Sequence, residues 1–330
     1  MSLILTLLSV VFAVAPMLAF VALVWWMDRY DREPVWLFAL TFLWGAIGAV
    51  LLALLFNPLV SIPLEWLAPA AWKDAVGPVL VAPLVEEPAK ALFLLFVLWN
   101  RHFDNMSDGF VYGAAAGLGF GMTENFLYFA QVGATGSMGA WLATVVIRTL
   151  YSAVMHATAS SVVGAAMGWA RFRGLLTLVP VALLGLGLAM GIHFLWNGLL
   201  TLDPLVSGEG RVAGANFFLF PMELLAVFAI FQVSLLDESL SIRRELREEA
   251  ERGLIDAQTP GVVASWWART LRSDWVPPGV PRRALLESLT ALAKRKRQAR
   301  LTGSEFHRDE VVRLRRKLER MLSPGGNTPP

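Results

Sequence analysis

Long, nearly unbroken apolar runs constrain this chain more than any other feature. Ser2–Met27 holds no charged residue, and Leu175–Thr201 holds none apart from His193 if that imidazole is counted. A soluble helix needs only an apolar stripe, whereas these runs are apolar all round. About 20 such residues, rising about 1.5 Å each, cross about 30 Å of hydrocarbon. Seven runs are long enough: Ser2–Met27, Val35–Phe56, Ala75–Leu98, Gly109–Phe129, Ala143–Trp169, Leu175–Thr201 and Asn216–Leu236. The expectation is an all-α, polytopic transmembrane helix bundle of about seven spans. Asn57–Trp72 is apolar but broken by Pro58, Pro63 and Pro69, and reads as an interfacial or re-entrant piece that leaves an eighth span open. The overall balance agrees: 16% of residues are charged, against about 25% in soluble domains.

Ser2–Met27 reads as a retained first span and not a signal peptide. It lacks a basic leader, its apolar run is too long, and no small-x-small cleavage site follows. The chain has no cysteine, which excludes disulfides, thiolate catalysis and Cys-ligated metals. A metal would need His, Asp, Glu or water, and the only histidines are His102, His156, His193 and His307.

Charge is unevenly spread. Residues 237–330 hold 19 Lys/Arg against 13 Asp/Glu, while residues 1–236 hold 9 against 13. Two regions are therefore expected: a transmembrane domain over 1–236 and a basic, partly helical tail over 237–330. With the N-terminus outside, the inner loops carry Arg29, Arg32, Arg101, Arg171 and Arg173, and the tail is cytoplasmic. That predicts a multi-pass membrane protein. In the tail, Leu285, Leu289 and Leu292 recur at helical spacing, as do Val311, Leu314, Leu318 and Met321. The tail reads as solvated, with its basic face against anionic lipid headgroups. No nucleic-acid-binding signature accompanies the basic run Lys294–Arg297, so no nucleic-acid partner is expected.

Against this apolar background stand polar residues inside the expected spans. A charge at a helix centre costs about 2.5–3.5 kcal/mol on insertion scales, so two adjacent carboxylates, Glu86 and Glu87, demand a reason. Lys90 is one turn on from Glu86 and reads as a counter-charge. Pro88 removes a backbone donor. The fourth expected span carries Gly109, Gly113, Gly117 and Gly121, a ladder that lets a neighbouring backbone approach. Glu124 and Asn125 follow it. The fifth carries Ser152, His156 and Ser160 one turn apart; the sixth carries His193 and Asn197. Counting from the span ends, Glu86, Glu124, His156 and His193 fall about 8–20 Å from the outer surface.

Each residue also has a plainer reading. A single intramembrane histidine can simply bond a neighbouring helix. Glu87 can be a supporting partner, Arg148 can snorkel to the interface, and Asp108 can cap a helix. Coincidence favours chemistry: three glutamates and two histidines on four helices at one depth. A buried carboxylate is a base near neutral pH. One assignment makes Glu86 the base, Glu124 and His156 the groups that orient a water, and His193 with Asn197 the oxyanion donors. A second puts zinc on Glu124, His156 and His193, with Glu86 still the base, although the contiguous His-Glu-x-x-His motif is absent. The residues leave both open: no cofactor, or zinc.

These residues resemble the PrsW family of bacterial intramembrane proteases, distant relatives of the CAAX prenyl endopeptidases. The resemblance rests on Glu86-Glu87-x-x-Lys90, Phe120-x-x-x-Glu124-Asn125, His156-x-x-x-Ser160 and His193-x-x-x-Asn197, flanked by Asp108-Gly-x-x-Tyr112-Gly and the Asp28–Pro34 loop. It covers roughly residues 1–236. It implies cleavage of a single-pass membrane protein, such as an anti-sigma factor, on the extracytoplasmic side. It implies either a metal-dependent or a glutamate-based mechanism. The rival readings are a proton- or ion-coupled transporter using the same Glu/His relay, which the lack of an internal repeat disfavours, and a scaffold, which leaves the Glu86–Glu87 cost unexplained.

Overall fold

A computed structural model describes residues 2–206 and 211–323. Every regular element among them is helical. The fold is a helical membrane bundle, with five helices long and apolar enough to cross a membrane: Leu3–Met27, Val35–Leu67, Met138–Ala170, Leu175–Asp203 and Arg211–Glu251. We label the helices α1 (Ser2–Met27), α2 (Val35–Leu67), α3 (Ala82–Leu98), α4 (Met106–Thr135), α5 (Met138–Ala170), α6 (Leu175–Val206) and α7 (Arg211–Glu251).

The third and fourth expected spans coincide with α3 and α4, which are not among those five. Both interiors are diluted, α3 by Glu86, Glu87 and Lys90 and α4 by its glycines. Helix α2 runs on to Leu67, through Pro58 and Pro63, so the Asn57–Trp72 stretch begins as its continuation and not as a separate piece. Asn105, not Asp108, is the N-cap of α4. The Asn105 side chain accepts from the backbone N–H of Asp108, and the Asp108 carboxylate accepts from that of Asn105, a reciprocal capping box.

Helix α4 is nearly fully buried from Ser107 to Gly121 and packs against α1, α2 and α5. Its small residues are the cause. A methyl group added at Gly109, Gly113 or Gly117 would lie 2.0, 2.2 and 2.2 Å from the carbonyl oxygens of Gly164, Ser160 and His156 on α5. On another face, one added at Gly119 would lie 2.0 Å from the Phe42 carbonyl oxygen of α2. Backbone therefore meets backbone on two sides of α4, as small-residue membrane interfaces allow.

Among the described residues, three π-helical turns interrupt the bundle, at Trp44–Ala49, Val76–Val81 and Arg148–Ser152. Such turns carry one extra residue and re-aim the side chains that follow. The last two immediately precede the segments that carry Glu86 and His156.

The chain divides into two compact units. The first comprises Met1–Asp28, Glu33–Arg171 and Thr177–Phe231; the second, Arg29–Arg32, Phe172–Leu176 and Gln232–Pro330. In the second unit α8 (Thr259–Ala264), α9 (Trp266–Leu271), α10 (Arg282–Thr302) and α11 (Glu305–Leu322) follow the end of α7. Gly303, at φ 63°, makes the turn between α10 and α11. Leu285, Leu289 and Leu292 of α10 and Val311 and Leu318 of α11 bury against Ile242, Leu246, Val263 and Trp275. This region thus has a hydrophobic core of its own, where a solvated tail was expected. The apolar stripes read from the sequence are its contact faces.

Candidate active site

Four helices deliver the polar residues. Helix α3 brings Glu86, Glu87 and Lys90, all buried; α4 brings Glu124; α5 brings Arg148 and buried His156; α6 brings buried His193. The glycine ladder makes the key juxtaposition. Because Gly117 sits on the His156 carbonyl and Gly121 on Ala153, Glu124 just beyond them reaches α5. Its Oε2 lies 2.7 Å from His156 Nε2 and 2.7 Å from an Arg148 guanidinium nitrogen.

From there polar contacts run without a break. His156 Nδ1 lies 3.1 Å from Lys90 Nζ. Lys90 Nζ donates to Glu87 Oε1 at 2.6 Å, and the same oxygen lies 2.8 Å from His193 Nδ1. The order is Arg148, Glu124, His156, Lys90, Glu87, His193. Along it, buried Glu87 has the Lys90 ammonium as its cation and partly buried Glu124 has the Arg148 guanidinium. Unpaired, such a group would cost several kcal/mol, about 3–5 when one partner of a buried pair is lost. Lys90 also stands 4.8 Å above the Phe120 ring, and the two imidazoles meet edge to face at 4.9 Å.

Glu86 is different. Its Oε1 accepts from Asn57 Nδ2 of α2 at 3.1 Å. Its Oε2 is buried with no hydrogen-bond partner, and His193 Nε2 is 3.9 Å away. Both oxygens belong to a carboxylate that lines a cavity of about 520 Å³ together with Asn57, Ser61, Pro78, Glu124, Tyr128, Arg148, Ser152, His156, Trp196 and Asn197. A free carboxylate oxygen at the edge of a polar cavity is an acceptor waiting for a donor, which water or a cation supplies.

Of the six residues expected at the site, Glu86, Glu124, His156 and Asn197 line this cavity; Glu87 and His193 are absent from the lining and reach it through their contacts. Asn197 spends one amide N–H on the Pro78 carbonyl, at 2.8 Å. A candidate metal set also forms, but with one member changed. Glu86, His156 and His193 each present a ligand atom within 4.8 Å of those of the other two. Glu124, expected in that set, is held by Arg148 instead. Arg148 was expected to snorkel to the interface; it turns inward, with Nε donating to Asn125 Oδ1 at 3.2 Å and its guanidinium 3.7 Å from the Tyr128 ring. Asn57 went unnoticed in the sequence, where its one signal is a polar residue at the end of an apolar run before Pro58.

Similarity to known proteins follows the same residues. A family profile described as PrsW family intramembrane metalloprotease matches residues 33–231, which contain the whole constellation. The protein named Protease PrsW from Bacillus subtilis (strain 168) is 28% identical over 166 residues, covering 48% of this chain and 67% of that protein. Its namesake from Geobacillus kaustophilus (strain HTA426) is 30% identical over 161 residues, 48% and 65% of the two chains. One from Clostridioides difficile (strain 630) is 37% identical over 103 residues, 31% and 42%. The chain thus spans from under half to about two thirds of the length of these relatives. No solved structure matches it.

Proposed function

Because the chain belongs to the PrsW family of intramembrane metalloproteases, we propose that it hydrolyses a peptide bond of a membrane protein in the polar cavity, with Glu86 as the base that activates water. The observation that carries this reading is the contrast among the three carboxylates. Glu87 and Glu124 are tied to Lys90 and Arg148, whereas Glu86, which lines the cavity, is held by Asn57 at Oε1 and has no hydrogen-bond partner at Oε2. A base must have a lone pair free for the proton it takes, within about 3 Å of the water. Glu124 and His156, 2.7 Å apart on the cavity wall, orient the water. The second amide N–H of Asn197 is the candidate donor to the tetrahedral oxyanion.

The residues present also fit a metal. Two imidazoles and a carboxylate with a free oxygen, all within 4.8 Å, are a donor set of the zinc type with room for water. Glu86, His156 and His193 would hold it, and a zinc ion bound there supplies an acidified water and a polarised carbonyl. In that version Glu124 is the remaining cavity carboxylate able to take a proton. Glu87 fixes the His193 ring through Nδ1 in either version.

Family resemblance supports a single-pass substrate such as an anti-sigma factor, cut on the extracytoplasmic side. The family resemblance supports a bacterial cell membrane, and the distribution of Lys and Arg supports an N-terminus outside and a basic C-terminal region inside. The test is to incubate the purified chain in lipid nanodiscs with single-pass membrane proteins in water labelled with oxygen-18. Hydrolysis puts the label in the new C-terminal carboxylate. A chelator followed by zinc separates the two versions: activity lost and recovered supports the metal, and unchanged activity supports the glutamate alone. If no candidate is cut, and proteoliposomes instead show a Glu86-dependent proton or ion flux, the transporter reading replaces this one.

A further inference from the structure

Lys90 has no role assigned above and Glu87 only that of holding the His193 ring, yet as a pair they touch both histidines. An ammonium group has three donors and no acceptor. At 3.1 Å from Lys90 Nζ, the His156 Nδ1 must therefore present a lone pair, which leaves the ring proton on Nε2. That proton has an acceptor at once: Nε2 lies 2.7 Å from Glu124 Oε2. Protonation of both nitrogens would set an N–H against the ammonium. At the other end of the pair, Glu87 is a carboxylate held by the same ammonium at 2.6 Å, and it can only accept. At 2.8 Å from its Oε1, His193 Nδ1 must carry the proton, which leaves the lone pair on Nε2. That nitrogen is the one that faces Glu86 Oε2, at 3.9 Å.

We propose that the buried Lys90–Glu87 ion pair is a positioning device that imposes opposite tautomers on the two site histidines: proton on Nε2 for His156, proton on Nδ1 for His193. It rests on the proposed function only for what the tautomers are used for, since the hydrogen-bond geometry stands without it. The consequence is a division of labour. His193 turns a lone pair to the space beside Glu86, where it accepts from the attacking water or binds a cation. His156 turns a proton to Glu124 and acts as a donor. His156 joins Glu86 and His193 as a ligand only by giving up Lys90 or Glu124. Second-sphere partners that fix a ring in this way are worth about 10–100-fold in affinity or activity.

Nitrogen-15 NMR reads tautomers directly, because protonated and bare imidazole nitrogens resonate far apart. The measurement uses the full chain with His102 and His307 replaced by Gln, so that only the two site rings report. The proposal expects two neutral rings of opposite tautomer, with His156 identified by loss of its signal in His156→Gln. Two rings of the same tautomer, or a doubly protonated ring, overturn it, and this result needs no change at Lys90. In Lys90→Met the His156 ring is expected to become a tautomer mixture, with cleavage falling about 10–100-fold; in Lys90→Arg, which restores a donor without an acceptor, the Nε2–H form and most of the activity return. An unchanged His156 signal in a folded Lys90→Met chain overturns the assignment. Absence of cleavage in the unsubstituted chain, with the tautomers as stated, counts against the protease reading alone.

Discussion

Glu86 and Glu87 are adjacent in sequence and opposite in circumstance. Glu87 Oε1 is locked between Lys90 and His193, while Glu86 lines the cavity and is held by Asn57. Sequence spacing alone put Lys90 one turn from Glu86 and so paired the wrong carboxylate; the ammonium takes Glu87, three positions away. The residue types at the site were legible because each is expensive in a membrane. Their partners were not, because Asn57 and Arg148 have local explanations that only spatial proximity overrides. Asn57→Ala should remove the single donor to Glu86 Oε1 and slow cleavage by about tenfold or more, the worth of one hydrogen bond to a charged acceptor. A rate unchanged in steady-state assays would show that Asn57 does not orient the base. Arg148→Leu leaves the Glu124 carboxylate without its cation and should reduce folded yield and activity together.

At the scale of elements, α4 and α5 decide the site. The ladder of glycines was readable as packing, and its role became visible only with the antiparallel match of Gly109, Gly113 and Gly117 to Gly164, Ser160 and His156. Gly117→Ala puts a methyl 2.2 Å from the His156 carbonyl oxygen, so the helices must separate. We expect a loss of about 1–3 kcal/mol in stability, as for overpacked cores, and a lengthened Glu124–His156 contact that lowers cleavage further. Gly187→Ala on α6 is the contrast: nothing lies within 4 Å of the added carbon. It should leave stability unchanged or raise it by about 0.4–1 kcal/mol. Thermal unfolding in detergent, side by side, distinguishes the two. The π turns had no sequence signature; at the first of them Trp44 donates from its indole to the Ala89 carbonyl at 3.0 Å. Proline misled in the other direction, because α2 passes Pro58 and Pro63 without ending.

For the whole molecule, the expected helical membrane bundle is present, and the basic C-terminal region has a hydrophobic core of its own. Its core was half legible. Stripes on α10 and α11 announced two apolar faces, but nothing in one dimension said that they would bury Glu249 between Lys296 and Arg315. Arg315 grips that carboxylate with two nitrogens, at 2.9 and 2.7 Å. Glu249→Ala should therefore cost the C-terminal unit about 3 kcal/mol, the low end for breaking a buried pair, because Arg315 is partly solvated. Hydrogen exchange on the full chain should show faster opening of α10 and α11 and no change at the site helices. Equal protection in both proteins would mean that the apolar core alone holds this unit.

The expectations about cleavage depend on Glu86 being the group that takes the proton from water, or holds the cation that acidifies it. The most direct measurement is the cleavage rate of one single-pass substrate by the purified protein and by Glu86→Gln, compared at matched thermal stability. Gln keeps the size of the side chain and can still meet Asn57, but it offers no carboxylate to the cavity. The account predicts a fall of about 10²–10⁴-fold, the usual worth of a positioned base. Equal rates from the two proteins would contradict it.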